Sequence, residues 1–187
     1  MSAMIVFGAV LFLAALVFIW GVAVYNRLVR LSNLKDEAWS GVDVQLKRRF
    51  DLVPNLVETV KGYASHEQDT FRRVTEARAA VSAAPTQAAR MEAENVLTAT
   101  LGRLFAVAES YPELKANENF AELQRELSNL ENELQMARRY YNGTVREFNG
   151  AIQLFPAVLI SRSLGYKEAE FFSAEEEARS TPQVEFS

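Results

Sequence analysis

The chain has 187 residues, 49% of them hydrophobic, with Lys and Arg totalling 20, Asp and Glu 24, and a formal net charge of −4. It contains no cysteine, which excludes disulfide frameworks, thiolate zinc sites and cysteine nucleophiles. The mild negative charge argues against nucleic acid as a partner, because a phosphate backbone demands concentrated Lys and Arg.

Nothing charged precedes Arg27. Residues 3–25 form an uncharged run, and about 20 such residues suffice for a helix to cross a hydrocarbon core ~30 Å thick. Trp20 and Tyr25 stand at its C-terminal end, where amphipathic rings favour the headgroup zone, and Arg27, Arg30 and Lys35 follow. Trp20, Tyr25, Arg27 and Arg30 are therefore the expected membrane-interface residues. A cleaved signal peptide wants a charged leader, a shorter apolar core and a small-residue cleavage site; Met1-Ser2-Ala3 carries no Lys or Arg, and no Ala-x-Ala follows. The expectation is a retained transmembrane anchor over residues 1–26. Positive charge after the span, by the positive-inside bias, puts the N-terminus outside and the body in the cytosol.

No stretch alternates as a strand would, and helical spacing runs through the remainder. Leu28, Leu31, Leu34, Ala38, Val42 and Leu46 make one stripe, in a helix that can continue straight out of the membrane. Asp51 is the expected cap of a second helix, with Pro54 in its first turn and a stripe from Val53 through Leu56, Val60, Phe71 and Val74 to Val81. Such a helix would be about 45 Å long. Pro85 breaks it and Thr86 caps a third helix, whose apolar face is Val96, Leu97, Leu101, Leu104, Phe105 and Ala108; Pro112 ends it. Asn119-x-x-Glu122 reads as a capping box. Behind it Phe120, Leu123, Leu127, Leu130, Leu134, Ala137, Tyr141, Thr144 and Phe148 keep alternating steps of three and four, the a/d seam of a coiled coil.

Long helices with short connections make an all-α protein: a transmembrane helix continuing into an elongated antiparallel bundle of about four helices over residues 27–160. Residues 161–187, rich in Glu, read as an acidic, loosely held tail. The antiparallel path returns the region from Phe148 to Ile160 towards the bilayer. Its apolar cluster of Ile152, Leu154, Phe155, Val158, Leu159 and Ile160 either packs on the end of the bundle or touches headgroups or a neighbouring subunit. Gly62, Gly143 and Gly150 fall inside expected helices, at a cost of roughly 1 kcal/mol each against alanine, which suggests close backbone approach within the bundle or between subunits.

Catalytic patterns are lacking. His66-Glu67 begins like a zincin motif, but position 70 is Thr70 rather than a second histidine, so His66 reads as an exposed helix residue. No phosphate-cradling glycine loop or Gly-x-Ser-x-Gly elbow occurs, and no cofactor is expected. Lys47-Arg48-Arg49 is too short for a nucleic-acid patch and reads as an ion-pairing helix face. Glu67 and Arg78 occupy seam-like positions; unpaired burial would be costly, so each needs a partner on another helix or another subunit.

One ordered set of motifs runs along the chain, beginning with Tyr25-Asn26-Arg27-Leu28-Val29 after the span and Gln45-Leu46-Lys47-Arg48-Arg49-Phe50-Asp51-Leu52-Val53-Pro54-Asn55-Leu56-Val57. It continues in Val60-Lys61-Gly62-Tyr63-Ala64-x-His66-Glu67, Ala77-Arg78-Ala79 and Glu109-Ser110-Tyr111-Pro112-Glu113-Leu114-Lys115-Ala116-Asn117 with Phe120. Ala137-Arg138-Arg139-Tyr140-Tyr141-Asn142, Phe148-Asn149 and Phe155-Pro156 complete it. In these motifs the chain resembles the LemA family. The resemblance implies a bacterial α-helical bundle on one N-terminal span and no established catalytic activity. A relative in magnetosome-forming bacteria is associated with building an internal membrane compartment, and some relatives are encoded beside a membrane zinc protease. Neither role transfers residue by residue. Arg49, Asp51, Pro54, Asn55, Gly62, Glu67, Arg78, Tyr141, Asn142, Gly143, Gly150 and Phe155 are the structural or assembly candidates. The expected function is a non-enzymatic scaffold of the bacterial inner membrane that self-associates and organises or remodels the bilayer. The alternative is a regulatory adaptor for an envelope enzyme or sensor, such as a membrane protease.

Overall fold

The apolar run and the first amphipathic stripe share one unbroken helix, α1 (Ser2–Lys61), in a computed structural model that describes residues 2–172. Five further helices follow among the described residues, with no strand: α2 (Gln68–Ala83), α3 (Gln87–Glu109), α4 (Pro112–Lys115), α5 (Glu118–Gln153) and α6 (Ala157–Ser163). The fold is an all-α bundle that grows out of a candidate membrane helix, as the periodicity predicts.

The helix boundaries differ from the sequence expectation in three places. Asp51 caps nothing: α1 passes through it, and its carboxylate faces Lys47 one turn back at 3.8 Å. The reason is phase. Val42, Leu46, Arg49, Val53, Leu56 and Val60 are all buried, and their steps of four and three hold one face inward across position 51. The break falls instead after Lys61, at Gly62, where the Tyr63 and Ala64 amides both donate to the Val60 carbonyl at 3.0 and 2.9 Å. His66 is exposed in this turn, not in a helix. On α5 the cap is Asn117, not Asn119: its Oδ1 accepts from the Phe120 amide at 3.0 Å while its Nδ2 donates to the Tyr63 hydroxyl at 2.9 Å. Thr86 does cap α3, accepting from the Ala89 amide at 3.1 Å.

Pro54 lies inside α1. Having no N–H, it leaves the Phe50 carbonyl without its helical donor. Arg78, from α2, fills that gap: its Nε donates to the Phe50 oxygen at 3.1 Å, and the guanidinium stands 3.8 Å from the centre of the Phe50 ring. The seam-like arginine thus has a backbone carbonyl and an aromatic face for partners rather than a carboxylate.

The helices contribute to two compact units. In residues 41–138 with Phe172, the core comprises Val53, Leu56 and Val60 of α1, Phe71, Val74 and Val81 of α2, Leu97, Leu101 and Leu104 of α3, and Phe120, Leu127 and Leu130 of α5. Val96, expected on the apolar face of α3, is exposed; Met91 and Thr100 are buried in that helix instead. In residues 2–40 with 139–171, Leu28, Phe148, Ala151 and Ile152 are buried together, flanked by Val24, Leu31, Ile160, Tyr166 and Ala169.

Residues 161–172 are not the loose tail expected of them. The Asn149 amide exchanges two 2.8 Å hydrogen bonds with the Ala169 backbone, the Tyr141 hydroxyl donates to the Glu170 carbonyl at 3.0 Å, and Phe172 is buried with Arg138 4.0 Å from its ring centre. Alternating apolar residues among the acidic ones give this segment something to bury. Residues 173–187, the rest of that expectation, lie outside the described residues.

Replacing Arg78 by alanine will destabilise the full-length protein in mild detergent by about 2 kcal/mol. In a Pro54→Ala background the restored amide serves Phe50, and the same replacement will cost less, by roughly 0.5 kcal/mol or more. Urea unfolding followed by helical circular dichroism reads the cycle; equal costs in the two backgrounds would refute the coupling.

Candidate functional site

The most concentrated polar arrangement lies in the unit of residues 41–138, around Arg49. Its side chain and that of Glu94 are both 0% exposed. The guanidinium reaches two helices at once. Its Nη1 donates to Glu131 Oε1 of α5 and to Thr98 Oγ1 of α3, each at 2.7 Å. Its Nη2 donates to the Glu94 carboxylate and, at 3.2 Å, to the Glu94 carbonyl. Four of the five guanidinium donors are engaged this way; Arg49 Nε and Glu94 Oε1 have no hydrogen-bond partner among the described residues. Thr98 completes the set by donating to the Glu94 carbonyl at 3.0 Å.

Burial works against the Arg49 charge, but the attraction and hydrogen bonds of Glu94 and Glu131 outweigh it, and the net shift raises its pKa. The guanidinium therefore stays cationic. Two further ion pairs run beside it: Arg48 Nη1 to Glu133 at 2.9 Å, and Arg90 Nη1 of α3 to Asp43 of α1 at 2.5 Å. Together they join α1 to α3 and to α5 by groups whose geometry admits one register.

Most of the cluster's polar atoms are taken up by one another. The Glu94 carboxylate is fully buried, Glu131, 32% exposed, gives one oxygen to Arg49, and the Thr98 hydroxyl is held by two neighbours. Cavities at the surface of this unit include one of about 310 Å³ lined by Asp43, Lys47, Phe50, Ser82 and Arg90, and one of about 430 Å³ lined by Tyr63, Glu113, Asn117 and Glu118. No group of three or more His, Asp and Glu arranged to hold a metal ion occurs among the described residues.

The other residues singled out in the sequence are dispersed. Trp20, Tyr25, Arg27 and Arg30 are exposed along α1. Asn55 is exposed, and its carbonyl accepts from the Thr59 hydroxyl at 2.8 Å. Glu67 is half-buried before α2, where its side chain caps nothing; its carbonyl accepts from the Phe71 amide at 3.3 Å. Tyr141 is buried with its ring edge on Trp39 at 5.3 Å, and Asn142 is half-buried beside it. Phe155 is exposed. Among the described residues, a Cβ added at Gly143 or Gly150 meets nothing within 4 Å, so the close approach expected at these glycines is not made there. At Gly62 an added Cβ would meet, among the described residues, the Thr59 and Glu58 carbonyls at 3.5 and 3.9 Å.

Sequence reasoning found Arg49 but missed Glu94, Thr98 and Glu131. The signal for Glu94 was present: it lies three residues from Met91 and from Leu97, both buried, so it belongs on the inward face of α3.

Comparison with known proteins supplies the context for this geometry. A family model described as the LemA family matches residues 38–186, beginning after the apolar run. Protein LemA of Metamycoplasma hominis is 26% identical over 152 residues, covering 81% of this chain and 69% of that protein. Magnetosome protein MamQ 2 of Paramagnetospirillum magneticum is 25% identical over an alignment of 186 residues, covering 86% of this chain and 68% of that protein. Magnetosome protein MamQ of Magnetospirillum gryphiswaldense is 24% identical over the same length.

Replacing Arg49 by methionine strands the buried Glu94 carboxylate and will cost about 3–5 kcal/mol of unfolding free energy. Pairing it with Glu94→Leu removes the stranded charge and will recover most of that loss. A single Arg49→Met variant as stable as the parent in urea would contradict the assignment.

Proposed function

This chain belongs to the LemA family, and on that footing we propose that it is a non-enzymatic scaffold of the bacterial inner membrane, anchored by the first part of α1. The observation that carries the reading is a division of labour along one helix. Among the described residues, the side chains of positions 4–20 of α1 are exposed, as lipid-facing residues are. Further along, the same helix enters a bundle whose polar groups are used up on one another. Arg49, Glu94, Thr98 and Glu131 bind each other rather than presenting a free acid, base or nucleophile, which supports a structural rather than a catalytic role. Arg27 and Arg30, exposed at the end of the apolar run, support an orientation with the bundle in the cytosol.

Self-association does not draw on the α5 seam. Phe120, Leu127, Leu130, Leu134, Tyr141, Thr144 and Phe148 are all buried within the chain itself. The face at Gly143 and Gly150 is the contact this reading draws on, since a helix keeps such residues at an energetic cost and an added Cβ there meets nothing among the described residues. The relatives named as magnetosome proteins favour a role in organising membrane over a role confined to one partner.

Gly143→Ala, whose Cβ meets nothing among the described residues, will leave the fold intact and raise helix stability slightly, yet will weaken self-association in membranes. In-membrane cross-linking checks this. Ladders of self-adducts in the parent, reduced in Gly143→Ala, are the expected result. A single dominant foreign adduct, unchanged by the substitution, would favour an adaptor bound to an envelope enzyme or sensor.

A further inference from the structure

The cluster that the sequence places near the returning end of α5 divides in two. Ile152 and Ile160 pack against Leu28 and its neighbours, whereas Leu154, Phe155 and Leu159 point outward, 62%, 80% and 61% exposed. Within the unit of residues 2–40 and 139–171, α5 runs back along α1. Tyr141 meets Trp39, Phe148 meets the Lys35 ammonium at 5.0 Å, and Ile152 joins Leu28 and Val24. Each advance along α5 is a retreat along α1 towards the apolar run. The α5–α6 corner, one turn past Ile152, therefore stands where that run gives way to Arg27.

The corner is fastened. The Ser161 hydroxyl of α6 donates to the Ile152 carbonyl at 2.8 Å, and Tyr166 sets its ring edge on Phe148 with centroids 5.5 Å apart. The outward apolar side chains are thus displayed by packed structure, not by a chance excursion of a loop. Arg162 on α6 and Arg27 and Arg30 on α1 are exposed, charges suited to anionic headgroups.

We propose that the α5–α6 corner is a second membrane contact, with Leu154, Phe155 and Leu159 seated in the headgroup–acyl boundary of the bilayer that α1 enters. The inference rests on α1 crossing that bilayer. Continuity with the apolar run selects lipid as the occupant: the corner lies beside the emerging helix, where headgroups already fill the space. Apolar residues at this boundary bury about 5–10 Å below the headgroups. A spanning helix alone lets the attached unit pivot, and a second contact fixes its tilt.

The absence of cysteine makes the test direct. Single cysteines replace Phe155, Leu159, Val10 in the apolar run and Val96 on exposed α3, each in the full chain reconstituted into phosphatidylcholine–phosphatidylglycerol vesicles and labelled with an environment-sensitive fluorophore. Labels at Phe155→Cys and Leu159→Cys will emit to the blue and lose intensity when the lipids carry brominated acyl chains, as at Val10→Cys. The label at Val96→Cys will lose intensity only to aqueous iodide. If Phe155→Cys and Leu159→Cys behave like Val96→Cys while Val10→Cys remains lipid-quenched, the corner contact is refuted and the span survives. If all four follow Val96→Cys, the span is refuted as well. Efficient disulfide formation between two Phe155→Cys copies without lipid quenching would assign the corner to a second copy and overturn the proposal.

Discussion

A charge buried among leucines and valines must be met by an opposite charge at hydrogen-bonding distance, and this requirement governs how the helices of residues 41–138 are aligned. Arg49 sits in the middle of the inward face of α1 and cannot be left unpaired without a penalty of several kcal/mol. Apolar side chains tolerate a slide of one helix along another, because dispersion is nearly non-directional. A guanidinium held by Glu94, Thr98 and Glu131 does not: each donor has a fixed direction, and a displacement of one turn would break several bonds together. The apolar core supplies most of the driving force for collapse, and the arginine selects one among the collapsed arrangements.

The same reasoning extends to the proline. A helix that carries Pro54 in its interior loses a backbone bond, and the lost donor has to come from elsewhere. Here it comes from Arg78, so an irregularity in α1 becomes a point of attachment for α2. Asn117 and Asn149 act similarly at the ends of α5. One caps the first turn while touching Tyr63, and the other grips the backbone at Ala169, so each binds a connection that lacks helical hydrogen bonds of its own.

On the proposed function, α1 has two solvents to satisfy. Its first part is uniformly apolar around the helix, which suits lipid on every side. Its later part is apolar on one face only, which suits a bundle wetted on the other. Where one regime passes into the other, arginines and aromatic rings gather, and the far end of α5 comes to lie alongside.

The residue pattern alone determined the helical class, the membrane-length apolar run and the inward seam of α5, because each follows from periodicity along a single helix. Thr86 was legible as a cap and Arg78 as a seam-like charge. Arg49, by contrast, read as part of an ion-pairing triplet and Pro54 as the first turn of a separate helix, which the unbroken α1 corrects. What periodicity could not reach was partnership. Nothing local distinguishes Asp51 as a surface residue of a continuous helix from Asp51 as a cap; the unbroken phase from Leu46 to Val53, held by burial against other helices, decides it. Glu94 and Glu131 are far from Arg49 in sequence and near it only after folding. The two fates of the α5 end, Ile152 inward and Phe155 outward, likewise depend on where α1 stands beside it. Local spacing fixes which face of a helix is apolar, whereas the identity of whatever meets that face is a property of three-dimensional packing.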